Sequence, residues 1–135
     1  MIKIIAGAKG TGKTAKLVED INSVAVEDNN VVCIERGSRL DQLLNHNVRL
    51  INITEYPCSG FDQLLSFIGG ICSKDYDLTH IYIDSIKKVA SCEDFDLLKE
   101  FLFKLDSFLA DKNINVTLIM TCDVDSLPDE IKQFC

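Results

Sequence analysis

At 135 residues, 47% of them hydrophobic and 26% charged, the chain has the proportions of one globular domain over residues 1–135 and leaves no room for a long disordered tail. Its formal charge of −7, with 14 basic residues scattered along the sequence, argues against a broad surface for a phosphate backbone, so a nucleic-acid partner is not expected. Apolar runs fall short of a bilayer's thickness and the first residues lead straight into an apolar strand pattern, which sets the expectation of a cytoplasmic chain without membrane contact.

Ile2-Lys3-Ile4-Ile5-Ala6 reads as a strand. The next residues, Gly7-Ala8-Lys9-Gly10-Thr11-Gly12-Lys13-Thr14, match the full Walker A pattern, and Leu17, Ile21 and Val24 then recur at helical spacing. The residue types suit a nucleotide phosphate. Gly7, Gly10 and Gly12 allow backbone approaches that side chains block, so successive amides turn inward as an anion nest. Lys13 brings charge to the β- and γ-phosphates, while Thr14 offers a hydroxyl to Mg2+. A glycine-rich turn with solvated lysines is the structural alternative, and Lys9 and Lys16 read as surface residues beside the loop.

The cluster Asp28-Asn29-Asn30 ends the first helix, and residues 31–35 form the second strand. Gly37 and Ser38 open a short helical piece with Leu40, Leu43 and Leu44, followed by a third strand over 48–53. Ser59 is placed to cap a helix carrying Leu64, Leu65, Ile68 and Ile71. Residues 79–84 make a fourth strand whose run His80-Ile81-Tyr82-Ile83 ends in Asp84, the arrangement of a Walker B strand with a carboxylate beside the phosphate loop for Mg2+. A turn-forming aspartate is the plain alternative. A helix over 93–111, a strand over 116–121 and a short segment over 126–135 complete the chain. On that long helix Phe95, Leu98, Leu102, Leu105 and Leu109 form one apolar stripe, and Phe101, Phe103 and Phe108 widen it. The surplus sets the expectation of a self-association or protein-partner face there, against internal packing of the same rings. Alternating strands and helices predict an α/β three-layer sandwich around a mostly parallel five-stranded sheet.

Six cysteines, none in a Cys-x-x-Cys pair, read as reduced thiols. His46 and His80 have no partner pattern and receive no role.

The Walker A loop and the strand ending in Asp84 together resemble the P-loop NTPase superfamily over nearly the whole chain, and its RecA-like branch in the strands that separate the two motifs. More closely, the sequence resembles small clostridial P-loop proteins of unassigned function, sometimes labelled as the twitching-motility ATPase; the acidic and histidine boxes of that motor are absent. The resemblance implies ATP and Mg2+ as ligands at the carboxyl edge of the sheet. No Asn-Lys-x-Asp guanine signature occurs, and Thr121-Cys122-Asp123-Val124-Asp125, the nearest place, lacks the lysine. Many relatives follow the Walker B aspartate with a glutamate that orients water, where this chain has Ser85. Glu35, at the end of the second strand, is the candidate base that the resemblance offers instead, and Thr121 the candidate sensor of the γ-phosphate. Arg36 and Arg39 lie within reach of phosphates or of a second subunit, with plain surface arginines as the alternative. The expected function is Mg-dependent ATP binding with weak hydrolysis to ADP. A nucleotide-binding regulator without significant hydrolysis, and a small-metabolite or nucleoside kinase, remain open.

Overall fold

A computed structural model describes residues 1–27 and 29–135. Asp28, one of the polar residues expected to close the first helix, lies outside the described residues. Strands and helices alternate as β1 (Ile2–Gly7), α1 (Lys13–Ala25), β2 (Val31–Glu35), β3 (Arg49–Asn52), α2 (Phe61–Lys74), β4 (His80–Ile83), α3 (Ile86–Ala90), α4 (Phe95–Leu109), β5 (Asn115–Thr121) and α5 (Asp129–Lys132). The five strands pair in the order β1-β5-β4-β2-β3, and every pairing among the described residues is parallel. The sheet is therefore wholly parallel, which explains why β2 is buried along its whole length and β5 over its central residues: such strands are covered on both faces and read as continuous apolar runs.

Side chains alternate across the sheet with the period of a strand. Val31 and Cys33 of β2, Tyr82 of β4 and Ile119 of β5 point to the face covered by Leu17, Ile21 and Ala25 of α1, whereas Val32, Ile34, Ile81, Ile83 and Leu118 point to the face covered by α2, α3, α4 and α5. Chain direction accounts for the division. The path from β1 to β2 to β3 runs one way across the sheet and the path through β4 to β5 returns, so crossovers of one hand lay the early and late connections on opposite faces. Tyr82, buried under α1, donates its phenolic hydrogen to Asp20 Oδ2 at 2.8 Å, and burial, with that bond second, pushes the phenol well above its ordinary pKa.

Several local features depart from the sequence pattern. The leucines at 40, 43 and 44 sit in a series of turns instead of a helix. β3 stops at Asn52, whose Oδ1 accepts from Thr54 N at 3.1 Å, Thr54 Oγ1 at 2.7 Å and Gly37 N at 3.0 Å, so the expected strand to residue 53 gives way to a 3-10 turn over Ile53–Glu55. Ser59 does not cap α2. Gly60, at φ 86, precedes that helix without a side-chain cap and donates its N–H to Ala90 O at 2.7 Å. The short helix α3 between β4 and α4 had no counterpart in the expected elements.

Most of the phenylalanine surplus on α4 is covered from within the chain. Phe101 is buried against Phe61 with ring centroids 5.3 Å apart, and half-buried Phe95 and Phe108 lie under Lys87 and Lys112 at 5.5 and 4.1 Å. Leu97 and Phe103 stay exposed at 45% and 44%, but at six residues apart they sit about 120° from each other around the helix and do not form one stripe. No helix of the described residues is long and apolar enough to cross a membrane. The six cysteines are free.

Candidate nucleotide-phosphate site

A parallel sheet brings the carboxyl ends of its strands to one edge, where open α/β sheets take their ligands. Four strands deliver the candidate residues there: Gly7 ends β1, Thr121 ends β5 in register with Gly7, Asp84 follows β4, and Glu35 ends β2. Because β5 lies between β1 and β4, Thr121 stands between the glycine-rich loop and Asp84. Cys122 N donates to Gly7 O at 3.0 Å and Asp84 N to Ile34 O at 3.0 Å, so the ladder extends past the strands and holds both site segments.

The loop over 8–12 turns through two left-handed glycines, Gly10 at φ 82 and Gly12 at φ 78. Gly12 is the residue preceding α1, and no side chain caps the helix there; its first turn also carries no acidic residue. The free amides and positive dipole end of a 13-residue helix therefore stand open to an anion. Ala8 O accepts from Thr11 Oγ1 at 2.8 Å and from Lys13 Nζ at 2.7 Å, so the loop carbonyl holds the lysine across the turn.

A cavity of about 290 Å3 opens against this turn, lined by Gly10, Gly12, Lys13, Thr14, Ser85 and Thr121 together with Lys9, Arg39 and Lys88. Lys9, Lys13, Arg39 and Lys88 place four cations around one hollow of a chain whose formal charge is −7. An adjoining cavity of about 310 Å3 shares Lys9, Ser85, Lys88 and Thr121 and adds Lys87 and Glu93; each is near the lower end of the range for ligand pockets. A separate hollow of about 510 Å3 beside Tyr56, Cys58 and Phe67 carries Asp62 and no cation, so it does not suit a phosphate.

Asp84 is 2% exposed, and Arg39 Nη2 donates to its Oδ2 at 3.1 Å. The Ser85 hydroxyl lies 3.4 Å from Oδ1. Arg36 turns away and bonds Ser91 Oγ at 3.1 Å. Glu35 is 1% exposed; its Oε1 accepts from Arg39 N at 3.2 Å and its Oε2 from Leu40 N at 3.0 Å. The family resemblance offered Glu35 as a base, and the observed residue is a buried brace for the turn after β2. Activation of water by Glu35 would require the turn over it to open, because the carboxylate is buried. Cys33, beneath both carboxylates, has its thiol pKa pushed far up by burial first and then by Asp84 and Glu35, so it stays protonated.

No group of three or more histidine, cysteine, aspartate or glutamate side chains among the described residues is placed to hold a metal ion. A magnesium ion on a nucleotide asks for less, because it takes one or two protein oxygens and completes its shell with phosphates and water. Thr14 and the sparsely partnered Asp84 fit that donor set. Arg39, named from the sequence as within reach of phosphates, lines the cavity, and Lys88 is the lining residue that pattern reading passed over. The signal for Lys88 was the spacing of Ile86, Val89 and Ala90, which marks a helical turn straight after Asp84.

No protein-family model and no curated protein sequence matches the chain.

Proposed function

We propose that the chain binds ATP with Mg2+ at the carboxyl edge of its sheet and hydrolyses it slowly, as a P-loop NTPase of RecA-like type. The observation that carries this reading is the uncapped start of α1 opening on a cavity ringed by Lys9, Lys13, Arg39 and Lys88. Loop amides and the first turn of α1 receive the phosphates, and Lys13 exchanges Ala8 O for β- and γ-phosphate oxygens. Thr14 and Asp84 hold the magnesium, which when bound neutralises phosphate charge. Thr121 offers its hydroxyl to the terminal phosphate. A parallel sheet with β5 between β1 and β4 supports the family assignment. ATP is preferred to GTP because the segment nearest a guanine signature is a 3-10 turn in which Asp123 Oδ1 accepts from Asp125 N at 3.1 Å, with no lysine to join it.

A second reading, a nucleotide-binding regulator without significant turnover, is favoured by one observation: both oxygens of Glu35 are bonded to backbone amides, and Ser85 cannot replace it as a base.

Calorimetric ATP titration and ADP production, with and without magnesium, test both readings on the purified chain. ATP binding that weakens about tenfold or more in Lys13→Ala is the expected outcome, and a Lys13→Ala variant that binds like the parent overturns the site. Magnesium-dependent ADP release marks the ATPase; binding without it marks the regulator. Where turnover occurs, an unchanged rate in Glu35→Gln removes Glu35 from the mechanism.

A further inference from the structure

We propose that Arg39 is a phosphate-contacting residue held in reserve on Asp84, and that the metal and the terminal phosphate must arrive together to release it. This rests on the nucleotide reading of the site and names how the site discriminates among its ligands.

The geometry is that of a fixed base with a free arm. Glu35 holds Arg39 N and Leu40 N, Asn52 holds Gly37 N, and Leu40 is buried at 1% exposure, so the backbone on which Arg39 stands is tied on both sides. Its side chain is 63% exposed, while the Asp84 side chain that it meets is 1% exposed. A buried carboxylate left without a counter-charge is costly, and Arg39 is the cation paired with it among the described residues. That same carboxylate is the one the chain presents to magnesium. A divalent cation on Asp84 and the guanidinium compete for one group of oxygens, so each weakens the other.

Competition alone would make a poor metal site. Arg39 also lines the phosphate cavity with Lys13 and Thr14, so a guanidinium displaced from Asp84 finds the oxygens of a terminal phosphate within the same hollow. Metal without phosphate leaves the exposed arginine only water as a partner in place of the carboxylate. A phosphate chain too short to meet Arg39 gives it no new partner and leaves it on Asp84, where it opposes the metal. The pair thereby couples metal affinity to the γ-phosphate and favours a metal–triphosphate over free metal and over a diphosphate, with bidentate guanidinium–phosphate bonding as the source of selectivity.

The test uses the full chain, Arg39→Gln and Arg39→Lys, with Lys13→Ala as reference. Mn2+ alone is titrated by electron paramagnetic resonance, and ATP and ADP are titrated calorimetrically in magnesium. Arg39→Gln is expected to bind Mn2+ alone about threefold to tenfold more tightly than the parent and to lose ATP-over-ADP preference by a similar factor. Arg39→Lys, which keeps charge but not the planar fork, is expected to retain the parent's weak Mn2+ binding and lose part of the preference. Unchanged Mn2+ affinity or an unchanged ATP-to-ADP ratio in Arg39→Gln overturns the role of Arg39; if Lys13→Ala has meanwhile lost ATP, the nucleotide reading itself stands. Absence of ATP binding in the parent overturns both.

Discussion

Ser85 holds φ 61 directly after Asp84, a left-handed conformation that costs a non-glycine residue roughly 1–2 kcal/mol. The strain sits between the buried carboxylate and α3, and it turns the chain so that Ser85 O accepts from Lys88 N and Val89 N at 2.9 and 3.0 Å. Ser85→Gly is expected to raise stability by about 0.5–1 kcal/mol, read as a higher urea midpoint; a lower midpoint would mean that the serine hydroxyl contributes more than the strain costs. Glu35 gives the opposite expectation. Glutamine there sets an NH2 group against the amide of Arg39 or Leu40, at a cost of about 1–3 kcal/mol. Urea unfolding checks it, and a Glu35→Gln midpoint equal to the parent's would show that the brace contributes nothing. These two residues mark the limit of pattern reading. The placement of Lys13, Thr14 and Asp84 at one edge of the sheet was legible, because the loop-to-helix pattern and the apolar strand before Asp84 are set by spacing along the chain. The pairing of Arg39 with Asp84 spans 45 residues and the burial of Glu35 depends on a turn with no periodic signal, so neither leaves a trace in local sequence.

Among the elements, α4 was legible in position and in the side of it that faces the sheet, because Leu98, Leu102, Leu105 and Leu109 repeat at helical spacing and are all buried. Its start was less so. Asp94, not Glu93, sets the boundary, with Oδ1 accepting from Asp96 N at 2.8 Å and Leu97 N at 3.3 Å. Asp94→Ala is expected to cost about 1 kcal/mol, seen in the urea midpoint, and a neutral substitution would show that packing alone defines the helix start. The turns after β2 do not form a helix. Leu40 enters the core while Leu43 remains 55% exposed; Glu35 takes the amides at 39 and 40, which a helix opening at Ser38 would also leave without carbonyls, and the bonds that follow, Asp41 N to Ser38 O at 3.3 Å and Leu43 N to Leu40 O at 3.0 Å, are those of turns. The bonds from Glu35 leave Arg39 on a tied backbone beside the cavity at the start of α1.

For the molecule as a whole, the loop that carries the site hangs from a strand whose sole neighbour in the described sheet is the last one. β1 pairs with β5 from Ile2 and Val116 through Gly7 and Thr121, so the glycine loop is anchored only when the two ends of the described chain have met. Contacts of such separation form late and at high entropic cost. The open side of β1 is covered by the C-terminal segment: Ile4 N donates to Phe134 O at 2.7 Å, and Ile131 of α5 is fully buried against the sheet. Removing residues 128–135 would expose the Ile4 amide edge and empty the Ile131 site. Loss of the apolar burial costs about 1.5–3 kcal/mol, before any contribution from the hydrogen bond. Because Gly7 is on the same strand, the shortened chain is expected to lose the proposed ATP binding together with stability, although no residue of 128–135 lines the cavity at the start of α1. Parallel falls in urea midpoint and in ATP affinity would establish that coupling. A shortened chain that keeps its midpoint but not its ATP would instead place the tail at the ligand, and one that keeps both would show that β5 alone suffices to hold the loop.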